Sequence, residues 1–302
     1  MNRFRRSSAI AAGALFTAGC VALAVSGPGS AGAAPAPKAR APLAAPSYSH
    51  YVALGDSYAS GSGLGRATDS DCHRSSYGYP ARLAKALKVP DFKNVTCSGA
   101  TTRSMWSRQQ NPSAPPQLDR LSKNTDLVTV SVGGNDLGFT SVLEQCVAAG
   151  FADRQGSPCR DKFNVDGNDK LQAKINQLAP RVRSLVTDIK RRSPSARVVV
   201  VGYPSIFPSN GSRCGSDVPL AKGDISYLDA VTARLNVMLA QSAKSKGAAF
   251  VNTYSVFRGK DMCSGADKRW VNPLLPVNSG SAHPNAMGHI FMANRVLEAL
   301  KK

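Results

Sequence analysis

No Cys-x-x-Cys pair and no cluster of cysteine with histidine occurs in the 302-residue chain, so nothing in it points to a zinc site. Histidine is scarce, with four residues, which leaves few candidates for any base chemistry. Aromatic residues make up only 7% of the chain, and neither a zinc finger nor an RNA-binding aromatic signature is present. A Gly-x-Ser-x-Gly nucleophile elbow is also missing, which argues against the α/β-hydrolase fold. No internal repeat is evident. Acidic residues are few, 19 against 38 lysines and arginines, and the formal charge is +19. Such a chain is attracted to anionic surfaces such as phospholipid or cell-wall polymer. The basic residues are dispersed, so specific nucleic-acid binding is not expected. The densest run, Lys190-Arg191-Arg192, is read as the last turn of a helix, where cations are favoured.

What is present begins with an export pattern. Arg3, Arg5 and Arg6 precede an apolar run from Ala9 to Val25, and Ala31-Gly32-Ala33 has the small residues of a signal-peptidase site. A secretory leader over 1–33 is expected, in preference to a retained membrane anchor, and its removal leaves a charge of about +16. Residues 34–47 are rich in Ala and Pro and read as a linker. Beyond the leader six cysteines remain: Cys72, Cys97, Cys146, Cys159, Cys214 and Cys263. An even number in an exported chain favours three disulfides, and fifteen pairings exist. The sequential set is favoured here, each bridge stapling one loop and contributing on the order of 3 kcal/mol.

From residue 48 to 302 short apolar runs alternate with helical patterns. Strands are expected at 50–54, 92–97, 126–132, 196–201 and 248–251, and helices at 79–87, 171–190, 225–246 and 286–300. Several strands are continuously hydrophobic, which argues for a parallel sheet covered on both faces. The expected fold is therefore one three-layer α/β/α domain, flavodoxin-like, around a mostly five-stranded parallel sheet. Ligands of such folds bind at the carboxyl edge of the sheet.

Three polar groups fall at that edge. Gly55-Asp56-Ser57-Tyr58 ends the first strand, Cys97-Ser98-Gly99-Ala100 the second, and Gly133-Gly134-Asn135-Asp136 the third. A serine becomes a nucleophile only when a base takes its proton. His50 starts the first strand at the opposite edge, His73 lies in a loop beside Cys72, and His289 falls inside the last helix. His283, in a loop and fixed by Pro284, is the best base for Ser57. Acyl transfer also needs donors for an oxyanion, and the backbone N–H groups of Ser57 and Gly99 with the side-chain amide of Asn135 have the right types. Asp56 and Asp136 are read as structural. Gly61-Ser62-Gly63-Leu64-Gly65 lacks the last glycine of a dinucleotide loop, since Arg66 stands there. Trp106, Trp270 and Phe139 either line an acyl groove or fill core.

Together the Gly-Asp-Ser, Gly99, Gly-Gly-Asn-Asp and His283-Pro284-Asn285 blocks, in this order over about residues 50–300, resemble those of the SGNH (GDSL) hydrolases. The cysteine pattern is similar to that of secreted actinomycete lipases, esterases and phospholipases A1, a likeness that also supports sequential pairing. The resemblance implies a serine carboxylester hydrolase with Ser57 and His283 catalytic, Ser57, Gly99 and Asn135 in the oxyanion hole, and no metal or cofactor. Most members of that family carry an aspartate three residues before the histidine; here Gly280 stands there. Some similar enzymes use a main-chain carbonyl instead, which implies Gly280 or Ser281, with Asp261 and Asp267 as the distant alternatives. The expected protein is a secreted, monomeric hydrolase of acyl esters or lipids. A carbohydrate acetylesterase and a non-catalytic polyanion- or wall-binding protein are the alternatives.

Overall fold

A computed structural model describes residues 47–210 and 214–301. The leader and all but the last residue of the linker lie outside them. Five strands, β1 (His50–Gly55), β2 (Asp91–Asn94), β3 (Leu127–Ser131), β4 (Arg197–Val201) and β5 (Ala249–Val251), form one sheet. All its pairings are parallel and its order is β5-β4-β3-β1-β2. Tyr51 pairs with Leu127 and Gly55 with Ser131, while Val201 pairs with Val251. β3 is buried at every residue, its Thr129 and Ser131 included, and β4 at all but its first, which is arginine; both are covered on both faces.

Among the described residues eight α-helices accompany the sheet: α1 (Ser57–Ser60), α2 (Tyr79–Leu87), α3 (Gly134–Leu137), α4 (Phe139–Ala152), α5 (Pro158–Phe163), α6 (Lys170–Arg192), α7 (Lys222–Ser245) and α8 (Ala286–Leu300). Chain order runs outward from β1 to β2 and then reverses through β3 to β5. By the right-handed rule for parallel crossovers, this reversal puts α2 on one face and α6 and α7 on the other. α2 packs against α8, and α6 against α7. The expected α/β/α architecture is thus observed, in the flavodoxin-like order.

Local sequence accounts for these elements. In α6, Asp169 caps the start by accepting from the N–H groups of Leu171 and Gln172 at 2.9 and 3.1 Å. Leu171, Ile175, Leu178, Val182, Leu185, Val186 and Ile189 recur at helical spacing and are all buried. Each contributes about 1.5–3 kcal/mol by leaving water. Lys190, Arg191 and Arg192 do form its last turn, and Lys190 donates to the carbonyls of Lys246 and Gly247. β2 is shorter than expected. The Asn94 side chain accepts from the N–H and hydroxyl of Thr96 at 3.2 and 2.7 Å, and this local turn ends the strand before Cys97.

The segment around Cys146 to Cys159, outside the expected helices, forms α4 and α5, joined by the Cys146–Cys159 disulfide. Cys72–Cys97 and Cys214–Cys263 complete the sequential pairing.

Gly55 at the end of β1 shows why the strand closes on glycine. Its φ is +143°, and a Cβ there would stand 2.5 Å from the Ser131 carbonyl oxygen on β3. The buried Gln117 side chain meanwhile satisfies both backbone groups of Gly55, accepting at 2.7 Å and donating at 2.9 Å. Gly55→Ala is expected to cost about 1–3 kcal/mol in urea unfolding, because the strained backbone must move against β3. An unchanged midpoint would show that this approach is not tight.

Candidate active site

The turn after β1 delivers Ser57 as the first residue of α1. Asp56 sets this turn: its carboxylate accepts from the Tyr58 N–H at 3.0 Å, and its own N–H donates to the Ser131 carbonyl at 2.9 Å. Ser57 is 8% exposed, enough for its hydroxyl to meet the cavity it lines. His283, 226 residues later in the chain, brings Nε2 to 2.7 Å from Ser57 Oγ.

Its other nitrogen, Nδ1, lies 2.7 Å from the Ser281 carbonyl oxygen. A carbonyl can only accept, so Nδ1 carries the proton and Nε2 presents its lone pair to the serine hydroxyl. Of the two carbonyls expected to orient the ring, it is Ser281's that does so. The Gly280 carbonyl accepts instead from the His283 N–H at 3.0 Å and from the Asn272 side chain at 3.1 Å. Asp261, one of the distant acids considered, accepts from the Cys263 N–H. Burial pushes the His283 imidazole down to about 4, against the Ser281 hydrogen bond, which raises it, and with a smaller lowering from the charge of His73.

The three expected donors line the same cavity. Among the described residues, no acceptor meets the N–H of Ser57 or of Gly99. Gly99 has φ +78°, and an added Cβ would make only ordinary contacts, so the turn rather than crowding calls for glycine. Its loop is fixed by the Cys72–Cys97 disulfide and by Gln109, which donates to the Ser98 carbonyl at 2.8 Å. Asn135 sits in α3 and spends one side-chain proton on the Ala100 carbonyl at 3.0 Å, leaving the other for a ligand. Asp136 accepts from the N–H and hydroxyl of Thr102 at 2.9 and 2.6 Å, a structural tie as expected.

A sequence model of the GDSL-like lipase/acylhydrolase family matches residues 53–290. The chain belongs to this family. It is therefore a carboxylester hydrolase, and its relatives agree. Lipase 2 of Streptomyces coelicolor is 37% identical over 256 residues, 83% of this chain and 85% of that one. The extracellular lipase of Streptomyces rimosus superposes with a TM-score of 0.70 at 31% identity, over 84% of this chain and all of that one. Phospholipase A1 of Streptomyces albidoflavus gives 0.69 at 29% identity, over 85% of this chain and all of that one.

Within this hydrolase the serine turn and the asparagine turn are joined by a residue that the motifs do not contain. The buried Tyr203, just beyond β4, donates its hydroxyl proton to Asp56 and accepts from the Gly134 N–H at 2.8 Å. Burial raises Asp56 to about 7, with the Tyr203 hydrogen bond opposing the rise. Tyr58 performs the matching task on the histidine side. Its hydroxyl donates to the Ala282 carbonyl at 2.6 Å, and its ring lies 4.8 Å from that of His283. Sequence reading missed both tyrosines. Tyr58 could have been found as part of the first block; nothing local marks Tyr203.

The cavity has a volume of about 410 Å³, in the range that encloses a small organic ligand. Leu137, Phe139, Leu143, Val231, Leu235 and Leu274 form an apolar wall beyond the serine. Phe139 thus lines the groove, whereas Trp106 donates to Asp188 at 2.7 Å and Trp270 stacks on Phe291 at 3.8 Å, both away from it. His50 begins β1 at the far edge. His289 is fully buried, accepts from the Tyr79 N–H at 3.0 Å, and is held down to about 3 by burial. The Gly61–Gly65 run packs against the histidine loop: a Cβ on Gly63 would stand 2.2 Å from Gly280 Cα, and Ser62 donates to the Ser279 carbonyl at 2.6 Å. Among the described residues no three His, Cys, Asp or Glu side chains converge as a metal site.

Tyr203→Phe removes the bridge and leaves the Gly134 N–H and the Asp56 carboxyl each short of a partner. We expect a loss of about 1–3 kcal/mol in stability and a fall in kcat larger than the change in KM. Steady-state kinetics of the variant, with wild-type kcat retained, would show that the two turns hold their places without it.

Proposed function

We propose that the protein is an exported lipase-type esterase with Ser57 as nucleophile and His283 as its base, acting on acyl chains of medium or greater length. The observation that carries the catalytic assignment is the 2.7 Å approach of His283 Nε2 to Ser57 Oγ beside three converging donors. Ser57 attacks the ester carbonyl while Nε2 takes its proton. The developing oxyanion is met by the N–H groups of Ser57 and Gly99 and by the Asn135 amide; one such donor is worth about 3 kcal/mol of barrier. His283 then returns the proton to the leaving alcohol, and water clears the acyl-enzyme through the same base. The Ser281 carbonyl keeps the ring in the required tautomer.

Substrate choice rests on the cavity wall. An enzyme restricted to acetyl groups needs a pocket closed just past the carbonyl, and here aliphatic side chains from α4 and α7 continue the space instead. The strongly basic chain favours acyl lipids at anionic surfaces. A leader over 1–33, a linker over 34–47 and one hydrolase domain over 48–302, acting as a monomer, complete the reading. Three disulfides and the extracellular Streptomyces lipase relative support export.

With p-nitrophenyl esters from acetyl to palmitoyl, turnover is expected to peak at medium or long chains and to vanish in Ser57→Ala. An acetyl-only profile would move the substrate to acetylated polysaccharide, and turnover surviving in the variant would remove Ser57 from the reaction. The pH profile of kcat/KM provides a separate check. His283 must be neutral to accept a proton, and burial lowers its pKa, so the rate should hold from alkaline pH down past the ordinary imidazole range and fall only near pH 4. An acid limb centred near 6.5 would mean that the working ring is solvated.

A further inference from the structure

Sheet order divides the cavity at the Ser57–His283 pair. Most of the apolar wall, Leu137, Phe139, Leu143, Val231 and Leu235, comes from segments after β3 and β4, where Thr140, Glu144 and Thr232 also line the cavity, and Leu274 comes from the segment after β5; Ser62, His73 and Ser98 come from segments after β1 and β2. With the acyl chain against the apolar wall, the alcohol half of the ester points toward this polar side. His73 is held there in an uncommon conformation for a residue with a side chain, φ +51°, next to the Cys72–Cys97 disulfide.

The hydrogen bonds define which ring nitrogen is engaged within the protein. Ser62 gives its only hydroxyl proton to the Ser279 carbonyl at 2.6 Å, so toward His73 Nδ1, 3.3 Å away, its oxygen accepts. Nδ1 therefore carries the proton of the neutral ring, and Nε2 is an unshared lone pair that meets no donor among the described residues.

We propose that His73 is a specificity-determining residue for the alcohol side: its Nε2 accepts a hydrogen bond from a second hydroxyl of the leaving alcohol, so that polyol esters are preferred over esters of simple alkanols. The inference rests on the hydrolase reading above and adds the partner of the alcohol.

The test compares 1-octanoylglycerol with ethyl octanoate, the same acyl group on a polyol and on a simple alkanol. Wild type should prefer the glyceryl ester in kcat/KM. His73→Gly keeps the backbone conformation and removes the acceptor, and should lower that preference about tenfold, the size of one hydrogen bond. His73→Gln reaches the place of Nε2 with an amide oxygen and should keep the preference within about threefold of wild type. Labelling by an active-serine probe reports whether each variant is folded; if the glycine variant fails to label, His73→Asn, which tolerates the same conformation and falls short of Nε2, takes its place. No preference in wild type, or an equal preference in the wild-type and glycine proteins, overturns the inference, as does an equal fall in the glycine and glutamine variants. Undiminished turnover of both esters by Ser57→Ala would instead overturn the catalytic reading on which it stands.

Discussion

A hydrogen bond from an imidazole N–H to a main-chain carbonyl governs the arrangement of this site. By holding the proton on Nδ1 of His283, the Ser281 carbonyl turns the Nε2 lone pair toward Ser57. A carboxylate in that place would do the same and would also stabilise the imidazolium. A neutral carbonyl orients the ring and offsets less of the cost of charging it. Burial dominates as a result, and the ring holds a proton weakly in the folded protein. The loop geometry that permits this bond is itself braced, by Tyr58 on the Ala282 carbonyl and by Ser62 on the Ser279 carbonyl.

The sheet supplies the rest of the constraint. Where strand order reverses between β1 and β3, the chain leaves the sheet in opposite directions and a crevice opens at the carboxyl edge. Ser57 leaves from β1 and Asn135 from β3, and Tyr203 spans the gap by bonding to both turns. One tyrosine hydroxyl thus ties the two turns beyond the last pairing of their strands, Gly55 with Ser131. The crevice is also asymmetric: Leu137, Leu143, Val231 and Leu235 line it from the β3 and β4 side, and Ser62, His73 and Ser98 from the β1 and β2 side.

Much of the fold is legible in the sequence because its elements are locally consistent. α2 and α8 occupy 79–87 and 286–300, as their apolar spacing predicts, and the buried strands announce themselves by β-branched runs such as Val198 to Val201. α4 was not legible. Its residues have only weak amphipathic character, because one end lines the cavity and the other packs Gly150 against the backbone at Ala221. Trp106 and Phe139 show the same limit at the level of side chains. Both are large aromatics in segments that follow strands, yet one meets Asp188 and the other the cavity, a difference that only packing creates.

By itself the sequence determined the order of the strands and helices, the four blocks at strand ends and near the C-terminus, and the family they belong to, because each is written in residues close together in the chain. Tertiary structure decided which carbonyl holds His283, which nitrogen of His73 meets Ser62, which aliphatic side chains line the cavity and that Tyr203 ties the two turns. These depend on residues tens to hundreds of positions apart meeting at hydrogen-bond distance, and such meetings are set by the packing of the whole sheet and its helices rather than by any local pattern.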